Sequence, residues 1–262
     1  MVYEYFDKIY CITLEGQLER QESMDKFFKE LNIPVEYFIA KRHPRGGRVG
    51  CFDSHYQVCK LAKERNYNKI LIFEDDVVIT PAYSETKIAN IIEFMKNNIW
   101  ESIQFGYGPQ FDGESIFPVS FSELFRSERM SANIINFHGT VTHAYALSDI
   151  GISKVLKNAP IEIAKDYVEH YDLWLFNNIL DTKLEFAVVP LLFDQNWCFH
   201  TTNKYEKMGE LLSRQLSCNL SKTNFLYYWS LLVYYKRICI YFIILIVLYI
   251  IFVMIILDIF YK

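Results

Sequence analysis

Lys69–Thr80, KILIFEDDVVIT, is a short apolar run that ends in three consecutive carboxylates. Ile70–Phe73 is β-branched and aromatic, the composition of a strand buried on both faces. Glu74, Asp75 and Asp76 then stand at its carboxyl end, where the ligand crevice of an open α/β sheet lies. Adjacent acids repel one another and resist burial, so a cation or a set of donors has to compensate them. Mg²⁺ or Mn²⁺ suits such hard oxygens, taking one or two carboxylates and completing its shell with water and substrate phosphates. That chemistry points to a nucleotide-diphosphate ligand. Alone, the triplet reads first as a solvated acidic turn, and the flanking chain has to decide.

The 262 residues leave room for one α/β domain of ordinary size and a remainder. The remainder is C-terminal. Ile238 to Leu257, ICIYFIILIVLYIIFVMIIL, is an uncharged run of about 20 residues, the length of a bilayer-spanning helix. Lys236 and Arg237 precede it, so the positive-inside bias places the large N-terminal part in the cytoplasm. Tyr227, Tyr228, Trp229, Tyr234 and Tyr235 are expected to form an interfacial aromatic belt. The expected division is a catalytic domain over 1–222, a juxtamembrane segment over 223–237 and a transmembrane helix over 238–257. MVYEYFDKIY does not read as a signal peptide. The cysteines at 11, 51, 59, 198, 218 and 239 lack CxxC spacing and read as reduced thiols. A net charge of −4 gives no electrostatic reason to expect nucleic acid.

Lys8–Leu14 reads as a strand, Leu18 to Leu31 as an amphipathic helix, and Val35–Ala40 as a second strand, the opening of a parallel α/β sheet. Lys41 to Gly50, KRHPRGGRVG, reads as a basic, glycine-rich loop without P-loop spacing. A helix is then expected from Cys51 to about Arg65, capped by Asp53 or Ser54, with His55 in its first turn. Ile88, Ile91, Ile92 and Met95 recur at helical spacing as a core face. Ser102–Gly106 reads as a strand, Gln110–Asn136 as irregular, His138–Ser148 as an alternating strand, and Leu184–Pro190 as the last strand. Two histidines five apart, His138 and His143, point to opposite faces of a strand and form no metal pair. Glu169 and Asp172 share one helical face, where either can take a proton from a substrate hydroxyl. Each also fits an ordinary polar helix face. His200 is a late metal-ligand candidate.

The order of these segments resembles glycosyltransferase family 25, which includes bacterial lipooligosaccharide and collagen galactosyltransferases. Ile12, Thr13, Leu14 and Arg20 match the opening INLxxRxxR-like segment, and Gly50, Cys51, Phe52, Asp53, Ser54 and His55 match GCxxSH. Glu74, Asp75 and Asp76 match the EDD, Gly139 to Ser148 a later G-T-x-x-Y-x-(L/I)-S segment, and Tyr171, Asp172, Leu173 an aspartate before an apolar helix. Coverage runs from about Lys8 to Gln195. Thr13 stands where the family has asparagine, Gly16 and Gln17 replace its arginine-rich turn, and the membrane tail is not part of the bacterial pattern.

The resemblance implies an A-type, Rossmann-like glycosyltransferase fold with a mostly parallel sheet. It implies a UDP-sugar donor such as UDP-galactose or UDP-glucose, a Mn²⁺-like ion, and an inverting transfer to a glycan, lipid-linked or protein acceptor, as in lipopolysaccharide biosynthesis. Asp76 and Asp75 are then expected at the metal with His200, and Arg20, His55, Glu74 and Asp75 at the donor. Asp172 is expected as the base, with Glu169 in reserve. A sugar-nucleotide-processing enzyme and a catalytically dead sugar-binding module are the competing readings.

Overall fold

The computed structural model describes residues 2–108, 127–137, 139–159, 170–175, 179–196, 225–235, 244–251 and 253. The chain opens as its sequence suggests: β1 (Lys8–Leu14), α1 (Leu18–Glu30) and β2 (Val35–Ala40) form a parallel strand–helix–strand unit, with Ile9 opposite Val35. After α2 (Gly47–Glu64), β3 (Lys69–Glu74) returns parallel to β1 on its other side. Alternation along these strands builds two core layers. Ile9, Cys11, Leu71 and Phe73 face one cluster, and Tyr10, Ile70 and Ile72 face the other. Ile70–Phe73 is wholly buried, and truncating Phe73 to Ala would cost about 3–5 kcal/mol.

β4 (Val77–Ile79) leaves the main sheet after a turn at Asp75 and Asp76. α3 (Glu85–Asn97) is capped by Ser84, whose hydroxyl accepts from the Lys87 amide, and it buries Ile88, Ile91, Ile92 and Met95 as expected. β5 (Ser102–Gln104), β6 (Glu128–Arg129), β7 (Ile134–Asn136), β8 (Ala144–Ser148) and β9 (Glu185–Val188) complete an eight-stranded sheet. Its order is β2-β1-β3-β8-β5-β9-β7-β6. α4 (Asp149–Asn158) and α5 (Tyr171–Trp174) pack with α2 over one face. β10 (Phe193–Gln195) pairs antiparallel with β4, and α6 (Phe225–Tyr234) packs against a third cluster around Tyr107 and Phe137.

The sheet is mostly parallel, as expected, with two strands reversed: β8 lies antiparallel between β3 and β5, and β7 is antiparallel to both β9 and β6. Several other expectations change. α2 starts at Gly47, not Cys51, because Gly46 at φ 98° turns the chain into the helix without a steric penalty. Asp53 and Ser54 therefore lie inside the helix, where Ser54 Oγ donates back to the Gly50 carbonyl at 2.6 Å. The strand expected over His138–Ser148 is confined to Ala144–Ser148, since Val141 adopts φ 77°. Among the described residues a further strand, β10, follows the one ending near Pro190.

No helix among the described residues is long and apolar enough to cross a membrane. Within the run 238–257, residues 244–251 are helical and exposed along their whole length. Glu169, His138 and His200 lie outside the described residues, as does most of the stretch 110–136.

Candidate active site at the acid turn

Parallel pairing of β1 and β3 sets Ile12 opposite Glu74, so the next residue of β1, Thr13, reaches the turn that follows β3. Its hydroxyl donates to Asp75 Oδ2 at 2.7 Å. Arg20, in the first turn of α1, donates through Nη1 to Asp75 Oδ1, and the same atom stands 3.9 Å from Asp76 Oδ2. Both oxygens of Asp75 are thus engaged by the protein. From the other side, β10 sets Gln195 opposite Val77. Its amide nitrogen donates to Asp76 Oδ2 at 3.0 Å, and the Asn196 amide donates to the Asp76 carbonyl at 2.7 Å.

Asp76 Oδ1 is buried and has no hydrogen-bond partner among the described residues. Burial, then the neighbouring Glu74 charge, pushes the Asp76 carboxyl up to about 7, with Gln195 and Arg20 opposing the shift. A buried, near-neutral carboxyl with one unused oxygen is a site that a cation would ionise and complete. Among the described residues, no group of three or more His, Cys, Asp and Glu could hold a metal ion. The unpartnered oxygen of Asp76 fits an ion of the Mg²⁺ or Mn²⁺ kind, which needs only one or two carboxylates when phosphates and water supply the rest.

Glu74 is held differently. Thr142 Oγ1 donates to its Oε1 at 2.7 Å and His55 Nε2 lies 3.4 Å from the same oxygen. Burial raises its pKa, but His55, Thr142 and the nearby His143 outweigh it, and the carboxyl ends below its usual range. His55 is itself buried beneath the site. Its Nδ1 meets the Tyr145 hydroxyl at 2.9 Å, and its ring stacks on Tyr171 at 4.4 Å and 7°. The histidine thus ties α2, β8 and α5 to the acid strand.

Tyr171 begins α5, and its neighbour Asp172 is half-buried. Asp172 Oδ2 accepts from the Val141 amide at 2.9 Å. A β-branched residue at positive φ is costly, and this contact, with Gly108 giving room beside the valine side chain, holds the conformation. Cys51 joins the two halves of the site. It is open to solvent yet crowded by protein, and its thiol pKa is raised by that crowding first and then by Glu74, Asp172 and Asp76. The three carboxyls accordingly lie near one another, with Cys51 within reach of their charge.

Of the residues singled out in the sequence, Arg20, His55, Glu74, Asp75, Asp76 and Asp172 come together here. Arg20 is spent on Asp75, and His55 supports Glu74 from below. Thr13, Gln195, Thr142 and Tyr145 were not among the candidate site residues. The register of parallel strands could have found Thr13; Gln195 reaches Asp76 across 119 positions and left no local signal.

A family model described as glycosyltransferase family 25 (LPS biosynthesis protein) matches residues 41–169. A glycosyltransferase 25 family member from Aedes aegypti is 26% identical over 198 residues, covering 65% of this chain and 31% of that protein. This chain thus spans about a third of the length of that relative. A putative glycosyltransferase from Haemophilus influenzae is 23% identical over 218 residues, covering 75% of this chain and 73% of that protein. Among solved structures, a glycosyltransferase involved in glycosylation of the major capsid of PBCV-1 superposes with a TM-score of 0.43 at 8% identity, covering 74% of this chain and 96% of that one. Over residues 41–169, and by these relatives, the chain is similar to glycosyltransferase family 25.

Proposed function

We propose that this chain transfers a hexose, galactose or glucose, from a UDP-sugar to a glycan, lipid-linked or protein acceptor, with inversion, on an A-type glycosyltransferase fold. The observation that carries the reading is the asymmetry of the acid turn. Asp75 is saturated by Thr13 and Arg20, Glu74 is bound by Thr142 and His55, and Asp76 alone keeps a buried, unused oxygen. Asp76 would hold a Mg²⁺ or Mn²⁺ ion, which supplies charge stabilisation to the departing diphosphate. Arg20, in the first turn of α1, adds positive charge at the same place.

Asp172 is the base. Oδ2 is fixed by the Val141 amide, which orients the carboxylate and leaves Oδ1 to take the proton of an acceptor hydroxyl. Membrane attachment belongs to the same proposal: the run 238–257 anchors the chain and the catalytic domain faces the cytoplasm. A relative 29% identical over 89 residues, a lipooligosaccharide biosynthesis protein from Haemophilus influenzae, supports a glycan acceptor.

The test is UDP release measured over a panel of UDP-sugars with Mn²⁺ or Mg²⁺. Asp76→Asn should abolish release while the thermal unfolding profile stays cooperative. Equal turnover in the variant, or none in the wild type with any donor, would overturn the reading.

A further inference from the structure

α6 carries no charge anywhere in FLYYWSLLVY, and one of its faces packs on the domain. Tyr227, Ser230, Leu231 and Tyr234, spaced i, i+3, i+4 and i+7, share that face. Tyr227 and Tyr234 pack on the cluster containing Tyr107 and Phe137, and Ser230 is buried, accepting from the Leu191 amide at 3.0 Å and donating to the Tyr227 carbonyl at 2.8 Å. Arg129 closes the C-terminal end: it donates to the Tyr234 carbonyl at 2.5 Å and lies 4.6 Å over the Tyr234 ring. The helix is therefore fastened to the sheet and is not a loose tether.

Tyr228 and Tyr235, seven residues apart and on one face, are 57% and 44% exposed. A helix without charge on any face belongs in a core or at a membrane, and tyrosine suits a boundary that is apolar on one side and wet on the other. The sequence then passes through Lys236 and Arg237, which suit anionic headgroups, into the uncharged run 238–257.

We infer that α6 seats the catalytic domain on the bilayer surface: its outward Tyr228 and Tyr235 face lies among phospholipid headgroups while its inward face stays locked to the sheet. This rests on the membrane attachment proposed above and adds that the domain is held at the surface by its own helix. The seat also bears on the acid turn. Leu191, whose amide Ser230 holds and whose carbonyl accepts from Thr80 Oγ1 at 2.6 Å, leads directly into β10 and Gln195. A domain fixed in this way acts on acceptors presented at the membrane.

Hydroxyl-radical footprinting of the full chain in vesicles of phosphatidylcholine and phosphatidylglycerol, read residue by residue by mass spectrometry, tests the seat. Tyr228 and Tyr235 should oxidise more slowly than the half-buried Tyr37, reversing the order of their exposure in the protein alone. Tyr249, in the apolar run, reports the anchor independently. Slow oxidation of Tyr249 with fast oxidation of Tyr228 and Tyr235 would overturn the seat and leave the anchor. Fast oxidation of all three would overturn both.

Discussion

Gln195 donates to Asp76 Oδ2 at 3.0 Å from the far end of the domain, and this contact leaves Oδ1 as the one buried acid-turn oxygen without a partner among the described residues. The short sheet of β4 and β10 sets that geometry, since its register puts Gln195 beside the residue that follows Asp76.

Cation affinity should therefore depend on pH. The Asp76 carboxyl is raised to about 7, so below that value a proton competes for the oxygen the ion needs. Apparent affinity for Mn²⁺ should fall about tenfold per pH unit on the acid side and level off above about 7. Calorimetric titration between pH 5 and 8 measures it, with Asp76→Asn giving weak, flat binding.

Arg20 lowers the Asp76 pKa as well as pairing with Asp75. Arg20→Gln should move the midpoint of cation binding to higher pH and reduce UDP release at neutral pH. An unchanged midpoint would mean that the guanidinium acts on Asp75 alone.

The two roles of Asp172 separate by substitution. Asp172→Asn keeps an acceptor for the Val141 amide but removes the base, so kcat should fall about 10²–10⁴-fold with stability unchanged. Asp172→Ala should lose the same activity and about 1 kcal/mol of stability besides. Denaturant unfolding beside steady-state kinetics resolves the pair.

Away from the site, Glu185 is buried near Glu101 and Asp181, and burial followed by those charges raises it to about 8, with Lys154 opposing. A carboxyl raised on folding contributes stability that is complete in acid and is lost as pH rises through the folded value. Melting temperature should decline from about pH 4.5 to about 8 in the wild type and level off above that, with a shallower decline in Glu185→Gln.

Gly106 sits where β5 meets the site. A Cβ there would lie 2.1 Å from His143 Nε2 and 2.6 Å from the Phe193 carbonyl oxygen. Gly106→Ala should destabilise the fold by about 1–3 kcal/mol and weaken cation binding, because the displaced Phe193 lies in β10, the strand of Gln195. Chemical denaturation and the same calorimetric titration check the two effects.

Local composition determined a good deal of this protein. Period-2 alternation and β-branched content located β1, β2 and β3, helical spacing located α1 and α3, and the charge step after Phe73 marked the acid turn. These signals are legible because burial of a strand or helix face constrains residues a few positions apart. Gly46 shows the opposite case: a glycine-rich basic stretch reads as loop, while its backbone freedom is what starts α2.

Pairing over long separations was decided only in three dimensions. The antiparallel insertion of β8, the sheet of β4 and β10, and the docking of α6 through Ser230 follow from how edges and faces meet, which no window of sequence contains. The same holds for the acids. The sequence supplied three carboxylates in a row, but which of them keeps an oxygen for a cation depended on Thr13, Arg20, His55, Thr142 and Gln195 arriving from five separate segments, each satisfying what burial would otherwise leave unpaired.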